Sequence, residues 1–308
     1  MGKYVLRRML ASFVSIFVLV TVTFFLMHAI PGGPFSPGEQ KDVPPEILNA
    51  IAEKYGLNDP IIEQYAKYLK RLATGDLGVS FVQRDVTVNE KIVASFPTTF
   101  QLGSVTLLFS LLVGVPLGVI SAVRKDKFID WFSRTFSTVG ISVPNFVIAV
   151  LLLQTFTVRY QWFPSIGLTS WRHFVLPVLA LSLSPIAYIS RITRSEMIGT
   201  MKQDYIRTAR AKGVGERSVI LKHALRNSIT AVVTYLGPLI TNLLTGSFVL
   251  ESIFSIPGLG RHFVSSIGDR DYSVVLGLTI FYGIVLLLAN MFVDFVYGIV
   301  DPRVKIES

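Results

Sequence analysis

The sequence predicts an all-α protein, a polytopic membrane helical bundle with six transmembrane helices. Three observations support this fold class: 51% of the 308 residues are apolar, only 16% are charged, and six long stretches contain no charged residue. A soluble domain carries about 25% charged residues. A chain with so little charge is typical of a protein surrounded by lipid.

The six charge-free stretches are the predicted spans, because a helix needs about 20 apolar residues to cross the hydrocarbon core. The fourth stretch is the shortest, and it requires His173 or Arg191 near an interface. The first follows three cations, as a signal peptide would, but it is too long for a signal sequence and no A-x-A site follows, so we expect a retained helix. The stretches cover residues 9–30, 98–123, 135–158, 174–190, 227–250 and 272–293.

The positive charges predict the orientation of these spans. If the N-terminus is cytoplasmic, the inner segments 1–8, 124–134, 191–226 and 294–308 hold 18 of the 29 Lys and Arg residues. Cytoplasmic loops carry such an excess, so we expect both termini in the cytoplasm. The same bias accounts for the net charge of +9 without nucleic acid as a partner.

Proline and glycine lie inside four of the spans. The prolines are Pro116, Pro144, Pro177, Pro185 and Pro238. Membrane helices tolerate such residues because neighbouring helices satisfy the freed backbone groups. Two interpretations stay open: close helix packing, or a kinked bundle that moves around a pathway.

The outer segment 31–96 is predicted to contain two short helices. The first begins at Pro44-Pro45 and ends near Gly56, and the second covers residues 60–73. The second helix places apolar side chains at helical spacing, which indicates a small core or lid. They are Ile61, Tyr65, Tyr68, Leu69 and Leu72.

The inner segment 191–226 is predicted to form two amphipathic pieces joined by a turn. Met197, Met201, Tyr205 and Ala209 recur every four residues, which predicts one apolar helix face, and Gly213 suits the position just after a helix. The second piece contains Ile220, Leu221, Ala224 and Leu225. A basic helix on anionic lipid and a unit that docks in a partner's groove both fit this pattern.

The sequence lacks the motifs for thiol chemistry, for phosphate binding and for metal binding. There is no cysteine and no G-x-x-x-x-G-K-[ST] phosphate loop, so energy must come from a partner or an ion gradient. The four histidines have no metal-ligand spacing, and we expect no metal site and no bound cofactor. Asp294 lies at the inner edge of the last span, where we expect a structural pair with a cation rather than a proton relay.

The inner segment resembles a known family. Residues 204–213 (DYIRTARAKG) and 222–227 (KHALRN) are similar to the EAA loop of binding-protein-dependent importers. Ala209 and Gly213 match that pattern, whereas Arg207 and Thr208 stand where glutamate and the first alanine are usual, and Arg226 replaces the usual proline. The version of this loop in peptide and nickel permeases is closer.

Further stretches resemble the same subfamily. They are YGLNDP at 55–60, GDLGVS at 75–80, ESIFSIPGLG at 251–260, RDY at 270–272 and DPR at 301–303. The resemblance therefore covers nearly the whole chain, in register. PGGPF at 31–35 is most similar to the oligopeptide permease B subunits.

The resemblance implies a type I ABC importer transmembrane domain that transports oligopeptides. Its implied partners are a homologous second permease, two cytoplasmic ATPases that bind ATP and Mg, an extracytoplasmic peptide-binding protein and membrane lipid. The implied location is the bacterial cytoplasmic (inner) membrane. The implied division is a first helix at 1–30, an extracytoplasmic segment at 31–96, a permease core at 97–300 and a tail at 301–308.

The resemblance also assigns roles to residues. Residues 191–226 would form the coupling loop, which seats in an ATPase groove; its candidate residues are Tyr205, Ala209, Arg210, Lys212, Gly213 and Glu216. A second group would be a gate or a contact for the binding protein: Glu251, Pro257, Gly258 and Gly260. By this interpretation the chain itself is not an enzyme.

Alternative functions remain at this stage. Nickel or glutathione could replace peptide in the same family. An ion-coupled secondary transporter is a second class, and it would need a homodimer at this size. A membrane-embedded protease is a third, although no Ser–His pair lies in mid-span and G-x-S-x-G is absent.

Overall fold

A computed structural model describes residues 2–29, 53, 56, 58–83, 85–164, 167, 170–245 and 247–300, with side chains described from residue 10 except at 244–245 and 293–300. These residues are almost entirely helical, and the one pairing of extended chain among them is an isolated bridge between Val79 and Thr87.

Twelve α-helices are present in the described residues. They are α1 (Gly2–Ala29), α2 (Ile61–Ala73), α3 (Val88–Val123), α4 (Phe128–Ser142), α5 (Asn145–Leu152), α6 (Trp171–Thr200), α7 (Asp204–Ala211), α8 (Glu216–Ser218), α9 (Arg226–Thr245), α10 (Phe248–Ile253), α11 (Leu259–Gly268) and α12 (Tyr272–Val300). Two π-helical segments, Leu153–Arg159 and Val219–Leu225, follow α5 and α8.

The predicted all-α membrane bundle is confirmed, because the described residues of all six charge-free stretches are helical except at 143–144 and 247. Among the described residues, α1, α3, α6 and α12 are long and apolar enough to cross a membrane, and the bent pair formed by α4 with residues 145–159 would be a fifth span. The fifth stretch of the sequence lies on α9 and the start of α10.

The third predicted span is broken at Pro144. The helices on its two sides are bent by 99°. Val143, the residue before the proline, is extended (φ −87°, ψ 124°), as the proline ring requires of its predecessor. The other prolines of the described spans are accommodated inside continuous helices, including Pro177 and Pro185 in α6 and Pro238 in α9.

The fourth predicted span is much longer than its charge-free stretch. Helix α6 has 30 residues and continues past Arg191 and Arg194 to Thr200. The sequence placed the end of the span at Arg191, because an unpaired charge is costly in a membrane helix. Arg194 is tolerated because it is paired, as described below.

The described residues within Thr98–Gly260 and Val285–Ser308 form one compact unit. Helix α6 provides much of its core, and two glycines of α3 allow α6 to approach closely. A Cβ at Gly114 would lie 2.9 Å from Cγ2 of Ile189, and one at Gly118 would lie 2.6 Å from the carbonyl oxygen of Ser190. At these glycines the packing interpretation is confirmed.

The described residues within Gly2–Pro97 and Arg261–Ile284 form a second compact unit. Tyr68 of α2 is buried with Val20 and Phe24 of α1 and with Leu276 of α12. The predicted second outer helix and its small core are confirmed, except that Ile61 is exposed. The predicted first outer helix, near residues 44–56, lies outside the described residues apart from positions 53 and 56.

Candidate functional site

The segment predicted to be the coupling loop, residues 191–226, contains a break between two helices that its sequence pattern did not predict. Helix α6 ends at Thr200, and α7 starts four residues later at Asp204. The prediction of one continuous stripe through Met197, Tyr205 and Ala209 was therefore wrong. After this break Ile206 is fully buried, whereas Tyr205 is 43% exposed.

One apolar cluster holds both pieces of the loop against the end of α6. Met197, Ile206, Val219 and Ala224 are completely buried in it, and Ala122 from the end of α3 joins them. The second piece is one turn of α-helix followed by a π-helical segment, so Val219 occupies the inner position and Leu221 is 56% exposed. The loop is therefore a compact unit packed onto the spans.

Gly213 forms the turn between the two pieces by its backbone conformation. Its φ is +77°, a region that favours glycine, and a Cβ built there would meet nothing within 4 Å. The amide of Gly213 donates to the carbonyl of Arg210 at 3.0 Å, and the amide of Val214 donates to that of Ala209 at 3.2 Å. These two bonds form a Schellman motif, which confirms that α7 ends at this glycine.

An ion pair bridges the turn from α7 to α8. Arg210 Nη2 lies 2.7 Å from Glu216 Oε1, and Arg210 Nε lies 3.1 Å from Glu216 Oε2. The Arg210 guanidinium lowers the pKa of the Glu216 carboxyl, and the carboxylate raises the pKa of Arg210. This two-point contact joins residues on either side of Gly213, and so it limits how far the two pieces can separate.

The outer side of the loop is polar and mostly cationic. Tyr205 Oη accepts a hydrogen bond from Asn227 Nδ2 at 2.8 Å, which ties the start of α7 to the start of α9. Seven cations between residues 202 and 226 are exposed: Lys202, Arg207, Arg210, Lys212, Arg217, Lys222 and Arg226. An inner side packed on the spans and an outer side in solvent suit a surface that binds a partner.

The second candidate group is organised around the buried carboxylate of Glu251, which is 0% exposed. One oxygen accepts from Ser247 Oγ at 2.7 Å, and the other accepts from the backbone N–H of Gly260 at 2.7 Å. The backbone N–H of Leu259 donates to Thr99 Oγ1 at 2.9 Å. These bonds hold residues 256–260 on the end of α10 and the start of the 98–123 part of α3.

The two glycines of this group leave room for the carboxylate. A Cβ at Gly258 would overlap Glu251, and a Cβ at Gly260 would lie 2.5 Å from Cα of Phe248. Pro257 is exposed, whereas Glu251, Gly258 and Gly260 are buried. A direct contact with a partner is thus available to Pro257, and the other three residues determine the shape of the loop. The role of gate or binding-protein contact stays a prediction.

An ion pair that no sequence pattern predicted lies near the end of α6, where Arg194, inside the 191–226 segment and 20% exposed, meets a carboxylate of α4. Asp130 of α4 is 0% exposed and accepts from Arg194 of α6, with Nε at 2.5 Å and Nη2 at 2.8 Å. Ser121 Oγ of α3 donates to Asp130 at 2.7 Å, and the backbone N–H of Asp126 donates at 2.9 Å. In the sequence, Asp130 is an acid among the cations of the inner segment 124–134, and no local motif marks it as a residue with a special role.

The predicted inner-edge acid, Asp294, lies in α12. Its side chain is outside the described residues, and its pairing stays a prediction.

The whole chain is similar to peptide permeases. Residues 114–306 match the family described as binding-protein-dependent transport system inner membrane component, and residues 1–103 match the corresponding N-terminal family. The dipeptide transport system permease protein DppB of Bacillus subtilis is 44% identical over 308 residues, which is 100% of this chain and 99% of that protein. The oligopeptide transport system permease protein OppB of Salmonella typhimurium is 43% identical over 307 residues, covering 99% of this chain and 100% of that protein.

Solved importer structures share the fold. An inward-facing structure of the MetNI methionine ABC transporter has a TM-score of 0.56 at 20% identity, covering 68% of this chain and 96% of that chain. An amino acid ABC transporter crystallised with histidines has a TM-score of 0.54 at 16% identity, covering 68% and 94%.

Proposed function

The chain belongs to the family of binding-protein-dependent transport system inner membrane components, and we propose that it is the permease subunit forming half of an ATP-driven pathway for oligopeptides. Similarity to a dipeptide permease and to an oligopeptide permease, at 44% and 43% identity over the full chain, supports peptide as the substrate class.

One structural observation supports the importer assignment above all others. Ile206 of α7 and Val219 of the π-helical segment after α8 are buried in one cluster with Met197 of α6 and Ala122 of α3, while Arg207 and Lys212 on the other side of the unit are exposed. A rigid docking unit on the end of a 30-residue helix can transmit a partner's movement into the membrane. A lipid-bound surface helix would instead place its apolar face outward.

The proposal includes the partners. The chain contains no phosphate-binding loop, so ATP and Mg would be bound by two ATPase subunits that dock on the coupling loop. A second, homologous permease would complete the pathway, and an extracytoplasmic binding protein would deliver the peptide. The excess of Lys and Arg in the inner segments supports cytoplasmic termini in a bacterial inner membrane.

In this mechanism the coupling loop converts ATPase closure into movement of the spans. The ATPases would hold the loop in different positions when closed and when open. Such a switch requires that the partner interact differently with the two states of the permease. The candidate contacts are Tyr205, Arg207, Lys212 and Glu216, on or near the exposed side.

The test is a transport assay on the assembled complex. The tagged chain should co-purify with a second permease and two ATPases, and proteoliposomes loaded with Mg-ATP should accumulate a labelled tripeptide when the binding protein is added outside. Uptake that is independent of ATP but is abolished by an ionophore would establish a secondary transporter instead. Accumulation of radioactive nickel or glutathione, without peptide, would establish the alternative substrates.

A further inference from the structure

We propose that Asp130 and Arg194 are positioning residues for energy coupling: their buried ion pair fixes the end of α6, and with it the coupling loop, to α3 and α4. The inference rests on the proposed function and goes beyond it, because neither residue belongs to the loop's docking surface.

The pair joins three helices at one point. Asp130 lies in the first turn of α4, Arg194 lies near the end of α6, and Ser121 lies near the end of α3. The carboxylate receives four donated hydrogen bonds: two from Arg194, one from Ser121 and one from the backbone of Asp126. A carboxylate with this many donors has little freedom to leave its position.

This polar junction lies directly beside the apolar cluster that holds the coupling loop. Arg194 and Met197 are one turn apart on α6, and Met197 is fully buried in a cluster with residues of α7 and of the π-helical segment Val219–Leu225. Ser121 is followed by Ala122, which belongs to the same cluster. A force on the loop therefore acts on a helix end that is tied to two neighbouring helices, and α3, α4 and α6 should move as one body.

The geometry also indicates why a charged pair is present here. An apolar contact between α4 and α6 would allow the helices to slide or rotate, whereas the planar guanidinium and the carboxylate accept one relative orientation. Buried ion pairs are weak sources of stability but can determine which of several packings is adopted. Arg134, also near this carboxylate with Nε at 3.8 Å, is 53% exposed and makes no such two-point contact.

The experiment measures the coupling ratio, the amount of peptide accumulated per ATP hydrolysed, in complexes reconstituted at equal amounts. The variants are Asp130→Asn and Arg194→Lys, and Arg134→Gln is the matched control because it removes a nearby cation outside the two-point contact. We expect both pair variants to lower the ratio by about 2- to 30-fold, the range for residues that carry coupling between sites, while the control keeps the wild-type ratio.

The ratio separates positioning from stability. If the pair only stabilises the fold, uptake and ATP hydrolysis will fall together because less of the reconstituted complex stays folded. The ratio will then not change, and the inference is overturned. If Asp130→Asn does not assemble, the test rests on Arg194→Lys. That variant keeps the positive charge and loses the two-point contact of the guanidinium with the carboxylate. Should that variant also fail, Ser121→Ala, which removes one of the four donors, is expected to lower the ratio by a smaller factor, and an unchanged ratio would overturn the inference.

Failure of the proposed function is distinguishable. A wild-type complex that hydrolyses ATP but accumulates no peptide would contradict the transport assignment, whatever the variants do. A wild-type complex that transports peptide, with variants of unchanged coupling ratio, would contradict only the role of Asp130 and Arg194.

Discussion

Glu251 and Gly260 form a buried hydrogen bond of 2.7 Å, in which the backbone N–H of the glycine donates to the carboxylate. The bond joins α10 to the start of α11 and is supported by Ser247, which donates to the other carboxylate oxygen. Truncating this side chain would leave both donors without that acceptor in a buried site.

We predict that Glu251→Ala destabilises the protein by about 1–3 kcal/mol, the cost of an unsatisfied buried polar group. The measurement is the thermal unfolding of the purified complex. Glu196→Ala, at an exposed position of α6, is the control and should leave unfolding unchanged. If Glu251→Ala changed transport without changing stability, Glu251 would act as a gate rather than as an anchor of its loop.

The effect of a substitution at Gly213 should depend on whether the new residue can adopt this backbone conformation, and not on the size of its side chain. A non-glycine residue at φ +77° costs about 1–3 kcal/mol, and asparagine adopts this region more readily than valine. We therefore expect Gly213→Asn to keep most peptide uptake and Gly213→Val to uncouple ATP hydrolysis from uptake. Gly215→Val is the matched control, since Gly215 has φ −59° and open space around it. Equal uptake by the asparagine and valine variants would contradict the assignment.

The Arg210–Glu216 pair should make the loop pH-dependent in one direction. Because the folded pKa of Glu216 is lowered below its usual value of about 4.5, the pair stabilises the loop above that value and is lost as the pH falls through the lowered pKa. Both side chains are more than a third exposed, so the contribution is about 0.2–1 kcal/mol. Glu216→Gln should reduce hydrogen-exchange protection of α7 and α8 at neutral pH and match the wild type below the lowered pKa.

The control for this pair is the exchange of its charges. The double variant Arg210→Glu with Glu216→Arg should recover protection that each single variant loses. A double variant no better than the singles would show that the ion pair does not hold the turn.

Close packing of α3 on α6 predicts that Gly118→Ala is harmful. Its Cβ would lie 2.6 Å from both the Ser190 carbonyl oxygen and Thr193 Cβ, and overpacking of this kind costs about 1–3 kcal/mol. Gly199→Ala is the control, because a Cβ added at this position of α6 would meet nothing within 4 Å. This variant should gain about 0.5–1 kcal/mol in free energy of unfolding from the higher helix propensity of alanine. Thermal unfolding of both complexes tests the difference, and equal melting temperatures would contradict it.

In the second unit, Asp271 is buried, accepts a hydrogen bond from Ser80 Oγ, and accepts another from the backbone N–H of Phe81 at 3.1 Å. Asp271→Ala should leave the donors of residues 80–81 without this acceptor and lower the free energy of unfolding by about 1–3 kcal/mol. Limited proteolysis between α2 and α3 should therefore be faster in this variant. Asp269→Ala, two residues away and exposed, should leave the cleavage rate unchanged. The same rate for both variants would show that Asp271 does not anchor this segment.

Local rules explain why the spans and the glycine turn could be predicted from sequence. Hydrocarbon excludes charge, so a charge-free stretch of about 20 residues marks a helix wherever it lies in the fold. Gly213 was recognised for a similar reason, because the end of a helix is determined by the conformation of a few residues. The break before α7 was missed, since a stripe continuing from Met197 to Ala209 fits a straight helix equally well.

The sequence alone determined the all-α membrane class and the membrane-spanning stretches, because hydropathy and charge bias act over short distances along the chain. Its resemblance to a known family predicted which segment would dock an ATPase. Only the tertiary structure decided that Asp130 pairs with Arg194, 64 residues away, that Glu251 faces into its own loop, and that Ile206 rather than Tyr205 is buried. A charged or polar side chain has many partners within reach of an unfolded chain. Which partner it pairs with depends on how the helices pack against one another. The free energy of that packing comes from residues far apart in the chain, so no short stretch of sequence reveals it.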